Sequence, residues 1–156
     1  MDFDLNGNLK PYSPIETTID EIRKNFVDDF KGSTSRERIF ESYLGYINDF
    51  KQMIGTDFFQ FINGSFVTRK RTPKDLDLVT FLDYETFETL ETELMPFKGF
   101  VNYPGIDAYI EKVYPASHPF NIRYQSDYLY WTEFFSKNRE GQRKGFLKIE
   151  FNHAEK

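Results

Sequence analysis

An α+β fold, α/β-like in style, with a small mixed β-sheet flanked by helices, is what this sequence predicts. Two capping-box tetrads each open a helix-period run, several short apolar runs have strand length, and the two kinds of segment interleave along the chain. At 156 residues the chain suits one domain with a core of its own. No internal repeat or low-complexity tract divides it. A single domain is therefore expected over residues 1–156, with an extended segment and two helices over 1–56 and the sheet with its remaining helices over 57–151.

Residues 3–15, with Gly7, Pro11 and Pro14, read as an extended lead-in. Thr18-Ile19-Asp20-Glu21 is a capping box, in which the Thr hydroxyl and the Glu carboxylate satisfy free backbone amides of the first turn. Its helix runs to about residue 30 with Ile19, Ile22, Phe26 and Phe30 on one face, and Gly32 breaks it. Thr34-Ser35-Arg36-Glu37 is a second box. That helix continues to about residue 54 through Ile39, Tyr43, Tyr46, Ile47 and Phe50, and Gly55 stops it.

Residues 58–62 are apolar almost throughout, as in a central strand covered on both faces. Residues 75–82 form a second strand, with Leu76, Leu78 and Thr80 on one face and Asp75, Asp77, Val79 and Phe81 on the other. A third helix spans about 84–94, with Phe87, Leu90 and Leu94 inward and Pro96 ending it. Residues 106–113 read as a strand, 127–138 as a last helix around Leu129, Trp131, Phe134 and Phe135, and 145–151 as a closing strand.

The formal charge of −5 argues against a molecule that coats nucleic acid electrostatically. There is no cysteine, which excludes disulfides, thiolate zinc sites and a cysteine nucleophile. The N-terminus lacks the basic and apolar regions of a signal peptide, and no apolar run approaches the ~20 residues of a membrane span. A soluble, cytoplasmic protein is the expectation, with no membrane partner. The aromatic content, 19% of the chain, reads as a core built from Phe instead of a base-stacking surface, since Phe58, Phe59, Phe61 and Phe81 sit in strand-like runs. Trp131 reads as a core anchor. A Walker loop, a nucleophile elbow and a His-Glu-x-x-His motif are all missing.

The chemistry concentrates between Asn63 and Leu78. A Gly64-Ser65 turn ends one apolar run, nine residues follow, and Asp75-Leu76-Asp77-Leu78 opens the next. Carboxylates at i and i+2 of a strand face the same side about 7 Å apart. That suits one divalent cation, or two roughly 4 Å apart. The Gly-Ser turn offers backbone N–H groups and a hydroxyl to phosphate oxygens. Asp107 is the candidate third carboxylate, with Glu111 two positions beyond Tyr109 as the fallback. Arg69-Lys70-Arg71-Thr72-Pro73-Lys74 is a candidate triphosphate clamp, with Arg69 and Lys70 foremost. Arg139, Arg143, Lys144 and Lys148 form a second basic patch, open between an exposed hairpin, the preferred reading, and a seat for pyrophosphate or an acidic acceptor, and His118 and His153 carry no assigned role.

At Gly64-Ser65 and Asp75-Leu76-Asp77-Leu78 the chain resembles the nucleotidyltransferase superfamily typified by DNA polymerase beta. It looks closest to a group of small, stand-alone bacterial members that share an opening like Asp4-Leu5-Asn6-Gly7-Asn8-Leu9, the segment Asn63-Gly64-Ser65-Phe66-Val67-Thr68, Pro73 ahead of Asp-x-Asp, and an ending like Lys144-Gly145. The resemblance implies the nucleotidyltransferase fold. It implies Asp75, Asp77 and Asp107 as catalytic metal ligands for Mg²⁺ or Mn²⁺, and Gly64 and Ser65 as the phosphate-binding turn. The implied reaction moves a nucleoside monophosphate from a nucleoside triphosphate to a hydroxyl acceptor, which is left open among RNA, protein and small molecule. Asn63 departs from larger relatives, which carry an apolar residue before the glycine. Some small members act with a partner protein in toxin–antitoxin or phage-defence loci, so a binding module without chemistry is the alternative.

Overall fold

The computed structural model describes residues 1–100 and 102–153. The N-terminal stretch is more than an extended lead-in. Asp4 Oδ1 accepts from the amides of Asn6 and Asn8, and Oδ2 accepts from the Tyr12 hydroxyl. This Asx turn folds β1 (Asp2–Phe3) back on β2 (Leu9–Lys10) as a short antiparallel ribbon. β3 (Pro14–Glu16) then joins the edge of the main sheet.

α1 (Ile19–Arg23) is capped by Thr18, whose hydroxyl accepts from Glu21 N, and it widens into a π-helical turn over Lys24–Asp28. α2 (Thr34–Ile54) is capped by Ser33, one residue before the tetrad that predicts it, and Gly55 ends it in the left-handed region. Its buried seam includes Ile39, Tyr43, Tyr46, Ile47 and Phe50, as the periodicity predicts.

The main sheet takes β4 (Phe58–Asn63), β5 (Leu76–Asp83), β6 (Ile106–Val113) and β7 (Phe146–Phe151) in the order β3-β7-β4-β5-β6. β4 runs antiparallel to both its neighbours, whereas β5 with β6 and β3 with β7 are parallel pairs. The sheet is therefore mixed, and the fold is α+β. β4 is its central strand, buried along almost its whole length.

α3 (Tyr84–Thr89) is shorter than predicted. The chain beyond it folds through turns into a 3₁₀ turn at Met95–Phe97, which still buries Leu94 and Phe97. Strand alternation divides the core in two. Leu76, Leu78, Ile106, Ala108, Leu147 and Ile149 pack with the seam of α2. Phe61, Val79, Phe81 and Phe146 face the other way and pack with Trp131 and Phe135 of α4 (Asn121–Phe135). A line of hydrogen bonds from Tyr43 Oη to Gln60 Oε1 (2.8 Å) and from Gln60 Nε2 to Thr80 Oγ1 (3.0 Å) crosses the first layer and satisfies its polar groups.

α4 corrects the sequence reading. It begins at Asn121, and its inner seam is Tyr124, Tyr128, Trp131 and Phe135. Leu129 and Phe134, expected inside, are each 59% exposed. With apolar residues on every side of the helix, spacing alone did not select the phase. The Phe61–Phe81–Phe146 surface did. No helix among the described residues is long and apolar enough to cross a membrane.

Arg36 fastens the connection after β4. It is 0% exposed, and its guanidinium donates to the carbonyls of Phe26 (2.9 Å), Phe66 (2.7 Å), Thr68 (2.8 Å) and Lys70. Its ring-like plane also lies over Phe30, 3.8 Å from the centroid. Burial draws its pKa down to about 10, so it stays charged at neutral pH. Arg36→Met should lower stability by about 3–5 kcal/mol, because buried carbonyls lose a charged donor. Arg36→Lys should recover only part of it, since an ammonium lacks the planar fork. Urea unfolding of the three proteins checks this, and a Lys variant as stable as wild type would refute it.

Candidate functional site

β4 ends at Asn63, and the chain turns at Gly64 and Ser65 to return as β5. Gly64 has φ 89° and ψ 179°, a backbone region open essentially to glycine alone. A Cβ there would lie 2.9 Å from both Asp75 O and Asp77 N. The turn thus needs glycine for its conformation and for its closeness to the aspartate backbone. Ser65 is pinned beside it: its amide and hydroxyl both donate to Asp75 Oδ1, at 3.1 and 2.9 Å. Ser65 Oγ in turn accepts from Lys74 N at 3.0 Å.

Asp77 stands opposite Asp107 in the parallel β5/β6 register and opposite Asn63 in the β4/β5 register. Alternation puts Asp75, Asp77 and Asp107 on the sheet face that α4 covers. Burial pushes the Asp77 carboxyl up to about 7, and the charges of Asp75 and Asp107 add to that. Burial also raises Asp107, with Asp75 adding to it, while the Tyr109 hydroxyl that donates to Oδ2 at 3.3 Å works the other way. The three predicted carboxylates therefore share one electrostatic field. Glu111 is engaged elsewhere. Burial and the neighbouring Asp127 of α4 raise its carboxyl to about 7, which makes Asp107 the better third acid.

Two cations act on Asp77: Lys144 and Arg139. Both are expected on an exposed hairpin. That holds for Arg139 and Arg143, which flank an exposed turn. It fails for Lys144, which is 5% exposed and whose pKa burial draws down to about 8 against the pull of Asp77 and Asp75. The cause is the next residue. Gly145 N donates to Leu9 O at 2.8 Å, and a Cβ on Gly145 would run into the Pro11 carbonyl. The N-terminal segment thus covers Lys144-Gly145, and a lysine beside a glycine was the only local signal of it.

Arg69 and Lys70 sit differently from Lys144. Arg69 N donates to Gly7 O at 3.0 Å, and its guanidinium lies 5.8 Å from the Phe3 ring centroid, so the N-terminal ribbon seats it. Lys70 offers its carbonyl to Arg36, and its side chain is exposed. Asn63, the departure noted in the sequence, has a structural role. It is buried, and Nδ2 donates to the carbonyl of Phe135 at 3.2 Å, which draws the last turn of α4 over the carboxylates.

The donor set suits a hard divalent cation. Carboxylate oxygens on one face, a buried Asn63 Oδ1 without a donor, and an Asp77 carboxyl raised first by burial and then by its like-charged neighbours all fit such an ion chemically. Asp75 Oδ1 is meanwhile committed to Ser65. Among the described residues no group of three His, Cys, Asp or Glu is closed enough to hold a metal as it stands.

Residues 1–150 match the model of DUF6932, a family of unknown function, and the chain belongs to that family. No curated protein and no solved structure matches it.

Asp77 makes metal-free stability depend on pH. The folded carboxyl keeps its proton to about pH 7, whereas the reference value is 3.8. The folded state binds more protons in that window, so this contribution is complete below the lower value and disappears as pH rises through the upper one. In EDTA, Asp77→Asn should flatten this slope and leave the protein more stable than wild type at pH 8, by on the order of 3 kcal/mol. Urea unfolding at pH 5 and pH 8 measures it. Parallel slopes in the two proteins would count against the assignment.

Proposed function

We propose that this member of DUF6932 is a metal-dependent nucleotidyltransferase that moves a nucleoside monophosphate from a nucleoside triphosphate to a hydroxyl acceptor. One observation carries the reading. A glycine turn that tolerates no Cβ lies against the backbone of two aspartates, and a third aspartate stands in register with the second on the neighbouring strand. Ordinary surface acids need neither the tight glycine nor the shared, partly buried face.

Asp75, Asp77 and Asp107 would hold Mg²⁺ or Mn²⁺, which supplies Lewis-acid charge to the phosphate oxygens. The Gly64-Ser65 turn offers the Ser65 amide and hydroxyl, now bound to Asp75, to the triphosphate. Lys144 and Arg139 add positive charge on the same side, so the site is acidic where a cation belongs and basic beside it. The acceptor oxygen bonds to the α-phosphorus, the bond to the β-phosphate oxygen breaks, and pyrophosphate leaves. Asp107, on the edge strand β6, orients the acceptor hydroxyl and takes its proton. Positioning and charge compensation dominate such a reaction.

A second reading is a nucleotide- or partner-binding module without chemistry, such as a toxin–antitoxin component. The lack of a closed three-acid cluster among the described residues favours it. Transfer of label from α-³²P nucleoside triphosphates to RNA, protein and small-molecule pools, with Mg²⁺ or Mn²⁺, separates the two. Transfer should require the metal and fall by two to three orders of magnitude in Asp77→Asn and in Asp107→Asn. Lys144→Met should lower it about tenfold. Metal-dependent nucleotide binding without any transfer would favour the second reading. Full activity in Asp77→Asn would sink the first.

A further inference from the structure

The aromatic residues of this chain fall into two populations, one buried in the two core layers and one left largely exposed. The inner seam of α4 is complete with Tyr124, Tyr128, Trp131 and Phe135. On its last two turns Tyr130 and Phe134 nevertheless point outward, 58% and 59% exposed. Their rings lie nearly parallel, 12° between planes and 5.8 Å between centroids. Both lie nearly perpendicular to Trp131, whose ring centroid is also 4.9 Å from that of Tyr109 of β6.

The patch adjoins the carboxylates. Tyr109, 43% exposed, donates its hydroxyl to Asp107 Oδ2. The loop that leaves α4 carries Arg139, exposed and close enough to act on Asp77. Exposed flat rings, a cation and a carboxylate assigned to the acceptor hydroxyl thus follow one another along one edge. Stacking rings beside a basic side chain are the combination that binds single-stranded nucleic acid without reading its sequence. The net charge of −5 opposes a long tract, and two outward rings on α4 suit one or two bases.

We infer that Tyr130 and Phe134, with Tyr109, stack the 3′-terminal bases of a single-stranded RNA acceptor and direct its terminal hydroxyl to Asp107. This rests on the transferase reading, with the acceptor on the Asp107 side and the triphosphate on the Gly64-Ser65 side. Arg139 meets the last phosphates. The aliphatic residues of the outer face, Ile122 and Leu129, take no part.

The test uses the full chain and a 5′-fluorescein single-stranded hexaribonucleotide with a free 3′ hydroxyl, followed by anisotropy. A hexadeoxyribonucleotide forms a second arm, and calorimetry with Mg·ATP a third. Tyr130→Ala/Phe134→Ala should weaken hexaribonucleotide binding at least tenfold and leave Mg·ATP binding and the thermal midpoint unchanged. Tyr130→Phe should bind as wild type, because stacking needs the ring and not the hydroxyl. Tyr130→Leu/Phe134→Leu should be as weak as the Ala pair. Equal binding by the Leu pair would overturn stacking. Tighter binding of the deoxy arm would overturn RNA as the acceptor. A change from dimer to monomer in the Ala pair, with hexamer binding intact, would assign the face to a second copy of the chain and overturn the proposal. Failure of wild type to bind the hexamer while it binds Mg·ATP overturns the acceptor role alone. Failure to bind Mg·ATP and each of the other three Mg·nucleoside triphosphates overturns the transferase reading and the acceptor role with it.

Discussion

The guanidinium of Arg36 lies in the protein interior and spends its charge on backbone carbonyls. Those carbonyls belong to the π-helical turn after α1 and to the loop that follows the Gly64-Ser65 turn. A charge removed from water is costly unless several good hydrogen bonds compensate it, and a planar fork meeting several carbonyls at once is one of the few arrangements that does so. The consequence is positional. The loop carries the basic run Arg69–Lys74, whose mutual repulsion would otherwise favour an open conformation. Clamped at Phe66, Thr68 and Lys70, it keeps the glycine turn pressed against Asp75 and Asp77.

That closeness brings together groups that repel one another. Three carboxylates share a partly buried face, and Asp77 gives up its ordinary acidity there. A chain selected for stability alone would place an amide or an apolar residue at such a position. Partial compensation comes from Lys144, itself weakened as an acceptor of protons by burial, and from Arg139. Opposed perturbations of an acid and a base in one small volume are common at sites that do chemistry on charged ligands. The N-terminal ribbon completes the arrangement by covering Lys144-Gly145 and seating Arg69, so residues far apart in sequence meet at one end of the sheet.

The aromatic residues serve both layers of the molecule. On the α2 side, Tyr46, Phe50, Phe58 and Phe97 pack mostly edge to face, which fills space while satisfying the ring quadrupoles. On the α4 side the same ring types continue past the core to the surface. Asn63 links that surface to the site by tying the end of α4 to the end of β4. An apolar residue at position 63 would leave the Phe135 carbonyl without this donor.

The α+β class, the α2 seam, the central strand, the limits of β6 and the pairing of a glycine turn with two aspartates were all legible in the order of the residues. Each of these rests on local rules: capping, periodicity, alternation and the conformational freedom of glycine. Asp107 was legible for the same reason, since alternation placed it on one face and its neighbours Ile106 and Ala108 on the other. Lys144 was not legible, because its burial comes from a segment more than a hundred residues upstream that crosses over Gly145. The phase of α4 was not legible either. A helix with apolar residues on all sides has no unique inner face until a partner surface selects one. Which rings are core and which remain at the surface beside the carboxylates was settled by packing, because burial is a property of what packs against a residue and not of the residue itself.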